Sequence, residues 1–207
     1  MGNRRKRTSR GATKSATRKA LARLQPEEAG RVLRSLLERH PELVREAEKL
    51  ARAVVTDVDV EAIAEEVEGA VLGLDLDDLN ARAGRTRWGY VEPTEAAWEI
   101  LGEALDPFLD EMKRQIELGF EPAAVGTCQG IVLGLYRCRD QGSDRLLGWA
   151  EDFPAETAAH AVATLARGSA AKHRRRWRLP QVFVDHVRDW AHLIERVARG
   201  DHRRTEG

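Results

Sequence analysis

Apolar residues along this chain recur with the period of a helix. Residues 27–39 place Ala29, Val32, Leu33, Leu36 and Leu37 on one face, and residues 41–55 do the same with Leu43, Ala47, Leu50, Ala51, Val54 and Val55. Residues 58–74 repeat the pattern with Val60, Ile63, Ala64, Val67, Val71 and Leu74. Spacings of three, four and seven residues put side chains on one stripe of a 3.6-residue helix, and no comparable alternation with period two occurs. The same spacing predicts further helices near 76–83, 93–105, 107–118, 122–138, 144–150, 154–167 and 180–198. The fold class is all-α: a bundle of antiparallel helix hairpins.

The seven prolines agree with this division, because each stands where a helix can begin: Pro26, Pro41, Pro93, Pro107, Pro122, Pro154 and Pro180. Proline suits a first helical turn, where its missing N–H has no partner to lose. Glu95 follows Pro93 within one turn, and Asp106 precedes Pro107 as an N-cap that restarts or kinks the chain. Gly119 and Gly168 follow the last periodic residues and read as C-terminal caps. The longer breaks, at 81–92 and 139–144, divide a three-helix unit over 25–80 from a central bundle over 81–170, followed by a basic segment and last helix over 171–207. Starts of the form Pro-Glu-Glu, Pro-Glu-Leu, Pro-Thr-Glu and Pro-Ala-Glu hint at a helical repeat of the HEAT kind, although their spacing is irregular. Gly126, Gly130 and Gly134 stand four apart on one stripe and predict a crowded central helix that a neighbour approaches closely.

Composition sharpens the picture through charge. Of 207 residues 33% are charged and the formal net charge is zero, but the charges are segregated. Residues 1–24 carry nine Arg and Lys and no acid; residues 25–166 carry 14 basic and 29 acidic groups; residues 167–207 carry 11 basic and five acidic groups. The first segment, with no apolar residue larger than Ala over 3–19, has too little to bury to offset its ordering entropy and is expected to be disordered alone. Its basic residues Arg4, Arg5, Lys6 and Arg7 are candidate nucleic-acid contacts; the alternative is a solubilising tail. Lys172, Arg174, Arg175, Arg176 and Arg178 surround Trp177, a combination suited to gripping phosphates and stacking a base. Against that, Trp177 fits a packing role, with the arginines paired to the acidic body. Trp88 and Tyr90 flank Gly89 and are candidate contacts for a protein partner, or else plug the seam between the two helical units.

Several chemistries fail on spacing. Asp57 to Glu68 mimics the acid positions of a calcium loop, but Ala62 stands where the loop needs Gly, and a helix capped by Thr56 or Asp57 fits better. Asp75, Asp77 and Asp78 read as a cap and first-turn acids. Asp185, Asp189, His192 and Arg196 share a stripe on the last helix, with Phe183, Val187, Trp190 and Ile194 opposite; Arg196 favours a charge ladder over a metal site. His160, among small residues, reads as a core or interface histidine. Residues 11–15 lack the glycines of a phosphate loop, the six histidines form no zinc motif, and no nucleophile elbow occurs. Cys128 and Cys138 fit neither a disulfide framework nor a CxxC site. No catalytic residue, cofactor or metal is therefore assigned. With no secretory signal or membrane-length apolar run, the expected location is cytoplasmic and no membrane partner is expected.

Residues 81–165 resemble the helical region that accompanies SWIM-type zinc fingers in uncharacterised bacterial proteins. The likeness rests on Gly89-Tyr90-Val91, Glu117-Leu118-Gly119, Ala123-Ala124 and Leu135-Tyr136. The finger's own ligands are absent, so the resemblance implies a helical-repeat scaffold without a metal. The resulting expectation is a non-enzymatic scaffold or adaptor for an unidentified protein partner, with association to nucleic acid as the alternative.

Overall fold

The structure, a computed structural model, describes residues 22–86, 89–141, 145–173 and 181–200. Among these residues the chain forms nine α-helices: α1 (Pro26–Arg39), α2 (Val44–Thr56), α3 (Val60–Leu72), α4 (Leu76–Arg82), α5 (Pro93–Leu118), α6 (Glu121–Cys138), α7 (Phe153–His173), α8 (Gln181–His186) and α9 (Ala191–Ala198). Three short 3-10 turns and one two-stranded hairpin complete the described elements. The all-α bundle expected from the periodicity is what forms. Of the basic tail expected to be disordered over 1–24, residues 1–21 lie outside the described residues.

One compact unit ends at Arg52 and the other runs from Ala53 to Gly207, the boundary falling inside α2. The helix over 60–72 thus lies in the larger unit, with the bundle, and not with the two helices before it.

Within the larger unit α6 is central and packs against α3, α5 and α7. The three glycines explain how. A Cβ on Gly126 would lie 3.1 Å from Val58, one on Gly130 would lie 2.6 Å from Ile63, and one on Gly134 would lie 2.6 Å from the carbonyl oxygen of Ala64. The stripe is a trough for α3, so bare backbone here exchanges helix propensity for close packing. Around it the core gathers Leu101, Leu105, Met112, Ile131, Leu135, Phe153, Leu165, Phe183 and Ile194. Trp98 meets Phe153 edge-on at 5.0 Å. A buried polar pair joins α5 and α6: the Thr127 hydroxyl donates to Gln115 Oε1 at 2.8 Å, and Gln115 Nε2 donates to Glu111 Oε1 at 2.9 Å.

The caps follow sequence chemistry. Asp59, not Thr56 or Asp57, caps α3, accepting from the N–H groups of Glu61 and Ala62 at 3.0 and 3.2 Å. Asp75 caps α4 as expected, through the Asp77 N–H. Gly119 ends α5 with φ of 80°, a conformation costly for other residues.

Further expectations are corrected. Asp106 and Pro107 neither start nor cap a helix, because α5 runs unbroken through them. Leu101, Leu105, Leu109 and Met112 keep one buried face across that point, and Pro107 lies on the exposed side, so the loss is confined to one hydrogen bond. Gly168 is no cap either: α7 continues to His173, and Gly168 makes room for Ile116, whose Cγ2 would lie 2.5 Å from an added Cβ. The last helix is broken at Val187 (φ −130°, ψ 56°) into α8, a 3-10 turn and α9. Phe183, Val187 and Ile194 are all buried in this bent path. The expected charge ladder dissolves with it: Asp189 accepts from the Tyr136 hydroxyl at 2.7 Å and pairs with Arg139 at 3.4 Å. Finally, the helix expected over 144–150 is a 3-10 turn, Leu146–Trp149.

Candidate interaction surface

The local chemistry of α1 is clear. Pro26 opens it, Glu27 and Glu28 occupy its first turn, and the Glu28 carboxylate accepts from the Gln25 N–H at 3.0 Å. It ends before Pro41, which drives His40 out of the helical region (φ −134°, ψ 71°). A 3-10 turn over Pro41–Leu43 then leads into α2.

Both helices are strongly amphipathic, yet no residue of either is buried. Leu33 remains 49% exposed and Leu50 58% exposed, and Val32, Leu36, Leu43 and Val44 are exposed with them. Within their own unit the stripes that the sequence assigns to a bundle interior are mostly uncovered, with Leu37 and Ala47 half-buried. Arg31, Val32, Ser35, Leu36, Arg39 and His40 outline a shallow hollow of about 380 Å³ on α1. Residues 26–52 carry six acidic and six basic side chains, so the stripe sits in a balanced, mixed-sign setting. Exposed apolar patches rimmed by charge mark contact surfaces on proteins.

Of the partner contacts named from sequence, Tyr90 lies on the second strand of the hairpin, opposite Arg85 and 63% exposed; it plugs no seam. The hairpin pairs Gly84–Thr86 with Gly89–Val91 inside what reads in sequence as a loop. Gly84 and Gly89 take φ of 101° and 141°, which accounts for glycine at both places. Trp88 lies outside the described residues. So do Arg4, Arg5, Lys6 and Arg7, and Arg174, Arg175, Arg176, Trp177 and Arg178. Lys172 lies in the last turn of α7.

Two clefts in the larger unit carry polar side chains. Between α4 and α5, a cleft of about 540 Å³ is lined by Asp78, Arg82 and Glu103 among others. Arg82 spans it with a bidentate pair to Glu103 at 2.8 and 2.9 Å, and this bonding holds the Glu103 carboxyl below its ordinary range. The guanidinium is thereby committed to its own chain. Between α5 and α7, about 340 Å³ is bounded by Trp98, Asp106, Phe153, Glu156 and His160. His160 is exposed here, which removes the core alternative of its core-or-interface reading. Among the described residues no three His, Cys, Asp or Glu side chains gather as metal ligands, and no helix is long and apolar enough to cross a membrane. Burial pushes the Cys138 thiol up to about 12 and the Cys128 thiol higher still, so neither is a thiolate nucleophile at neutral pH. A scan against protein-family models finds no match, and comparisons with curated proteins and with solved structures find none either.

Proposed function

We propose that this chain is a non-enzymatic helical adaptor that docks a protein partner on the apolar face of α1 and the first turns of α2. The observation that carries the reading is that two strongly amphipathic helices contain no fully buried residue and leave most of their apolar side chains exposed. Isolated helices of about this length are marginal in water and are normally held by packing their apolar face. A partner supplies that packing. The even balance of charge around the stripe suits a mixed protein surface better than a phosphate backbone.

Photo-crosslinking from position 35, on the rim of the hollow, tests the proposal in cells. A discrete protein adduct is expected, lost in the Leu33→Glu/Leu36→Glu variant while the circular-dichroism signal of the body is kept. Adducts that survive both glutamates, or none from any position on α1, would refute it.

A second reading rests on the segregation of charge, with nine basic residues and no acid in the first 24. In it the basic arm and the cluster at 172–178 grip nucleic acid, and affinity falls steeply with salt. Absence of binding to single- or double-stranded nucleic acid at about 50 mM salt would remove it.

A further inference from the structure

The cleft of about 340 Å³ between α5 and α7 lies wholly within the larger unit, so it stands whether or not α1 takes a partner. Its floor is apolar: Leu105, Leu109 and Phe153 are buried and Trp98 is half-buried. Its polar side chains are Asp106 from α5 and Glu156, Thr157 and His160 from α7. No Lys or Arg lines it. An apolar body with a few polar groups is the make-up of small-molecule sites, and this volume lies at the small end of their range.

Two features of the cleft have no explanation in the packing of the chain. The first is an acid left without a base. Of the five acids from Glu99 to Glu111, Glu99 and Glu103 pair with Arg82, Asp110 pairs with Lys113, and Glu111 pairs with Arg114. Asp106 alone of the five has no partner among the described residues, and Glu156 across the same cleft has none either. The second is Gly102. Gly126, Gly130, Gly134 and Gly168 each meet a close neighbour that excludes a Cβ, but a Cβ on Gly102 would meet nothing within 4 Å. Gly30 and Gly69 share that freedom, yet they line neither this cleft nor the other hollows described above. Glycine inside a helix sacrifices propensity. Here it leaves open space in the cleft rather than room for another helix.

The geometry points to a binding site for a small organic amine, a primary ammonium carried on an apolar body. The body rests on Trp98, Phe153 and the two leucines. An ammonium has three N–H donors and no acceptor, while ionised Asp106 and Glu156 offer acceptors only, and the Thr157 hydroxyl can accept the third bond. Unpaired carboxylates over an apolar floor draw a cation into a cleft, and aromatic rings add an attraction that an anion would not feel. A neutral or anionic ligand would leave both carboxylates unanswered.

The test is a titration of the full chain at pH 8, where an ordinary imidazole is neutral, with 2-phenylethylamine and with 2-phenylethanol, its neutral analogue of equal size. The indole N–H signal of Trp98, assigned with Trp98→Phe, is followed by NMR. The amine is expected to shift it with a Kd of about 1–10 mM, ordinary for so small a ligand. The alcohol should bind about tenfold more weakly. Asp106→Asn combined with Glu156→Gln should raise the Kd of the amine about tenfold, to that of the alcohol. Gly102→Leu should abolish the shift by filling the cleft. The two acids are exposed and Gly102 faces open space, so the fold should survive, and circular dichroism checks it. An unmoved Trp98 signal at about 50 mM amine, an alcohol that binds as well as the amine, a double variant that binds the amine as tightly as the parent, or a folded Gly102→Leu protein that still shows the shift overturns the proposal. A lysine-bearing peptide that shifts Trp98 where the free amine does not would assign the cleft to a protein partner and overturn it too.

Discussion

Replacing Gly134 by alanine should destabilise the protein, although alanine is the better helix former. Carbon atoms rest about 3.5–4.0 Å apart in good contact. The new methyl would stand 2.6 Å from the Ala64 carbonyl oxygen and 2.8 Å from Cβ and Cγ1 of Val67. α3 and α6 would have to separate by roughly 1 Å, because a backbone carbonyl has no rotamer to move into. Overpacking costs about 1–3 kcal/mol, and an unyielding backbone carbonyl puts this contact in the upper half of that range, about 2–3 kcal/mol; helix propensity returns about 1 kcal/mol. The net loss is about 1–2 kcal/mol, or several degrees in Tm for a domain of this size. Gly102→Ala, in the interior of α5, is the control: nothing lies within 4 Å of its added methyl, so a gain approaching 1 kcal/mol is expected. Urea unfolding followed by tryptophan fluorescence, with Trp98 against Phe153 reporting the core, gives both values. A Gly134→Ala protein as stable as its parent, or a Gly102→Ala protein less stable, would refute the trough.

Pro107→Ala should raise the urea midpoint, by an amount corresponding to about 1–3 kcal/mol, since it restores a helix hydrogen bond on the exposed side of α5; an unchanged or lower midpoint contradicts this. Thr127→Val leaves Gln115 Oε1 buried without its donor and should cost about 1–3 kcal/mol, and adding Gln115→Met should return part of that loss. Alkaline stability follows from the thiols. Both have folded pKa values raised by burial above the unfolded value of about 8.5, so their contribution is intact below about pH 8.5 and is lost as pH rises toward 12. Stability should therefore fall more steeply from pH 9 upward in the parent than in Cys138→Ala, measured as the difference in urea midpoints; equal slopes would disprove it.

Much of the body was legible in sequence because its signals are local. Proline at a first turn, Asp75 as a cap, Gly119 as a stop, the apolar stripe of α3 and the glycine stripe of α6 each need only a few neighbouring residues. The errors came where tertiary burial overrode a local signal. Pro107 is a start by itself, but the buried leucines on either side keep α5 whole. Gly168 is a stop by itself, but Ile116 needs the space. Three residues are too few to show an alternation of period two, so the strands Gly84–Thr86 and Gly89–Val91 carry no signal in the sequence. The candidate surface was half legible: periodicity identified the stripe of α1, but an amphipathic face looks the same whether its cover comes from the same chain or another. Only the exposure of Leu33 and Leu50 distinguishes the two.

The most direct check of that distinction is hydrogen exchange resolved along the chain, run on the dilute chain alone and with the partner caught at position 35 added. α5 and α6 should be strongly protected in both samples, while α1 and α2 should exchange rapidly in the chain alone and become protected when the partner is added. If residues 26–56 were as protected as the core in the dilute monomer, their apolar face would already be covered within the chain, and the interaction surface described here would not exist.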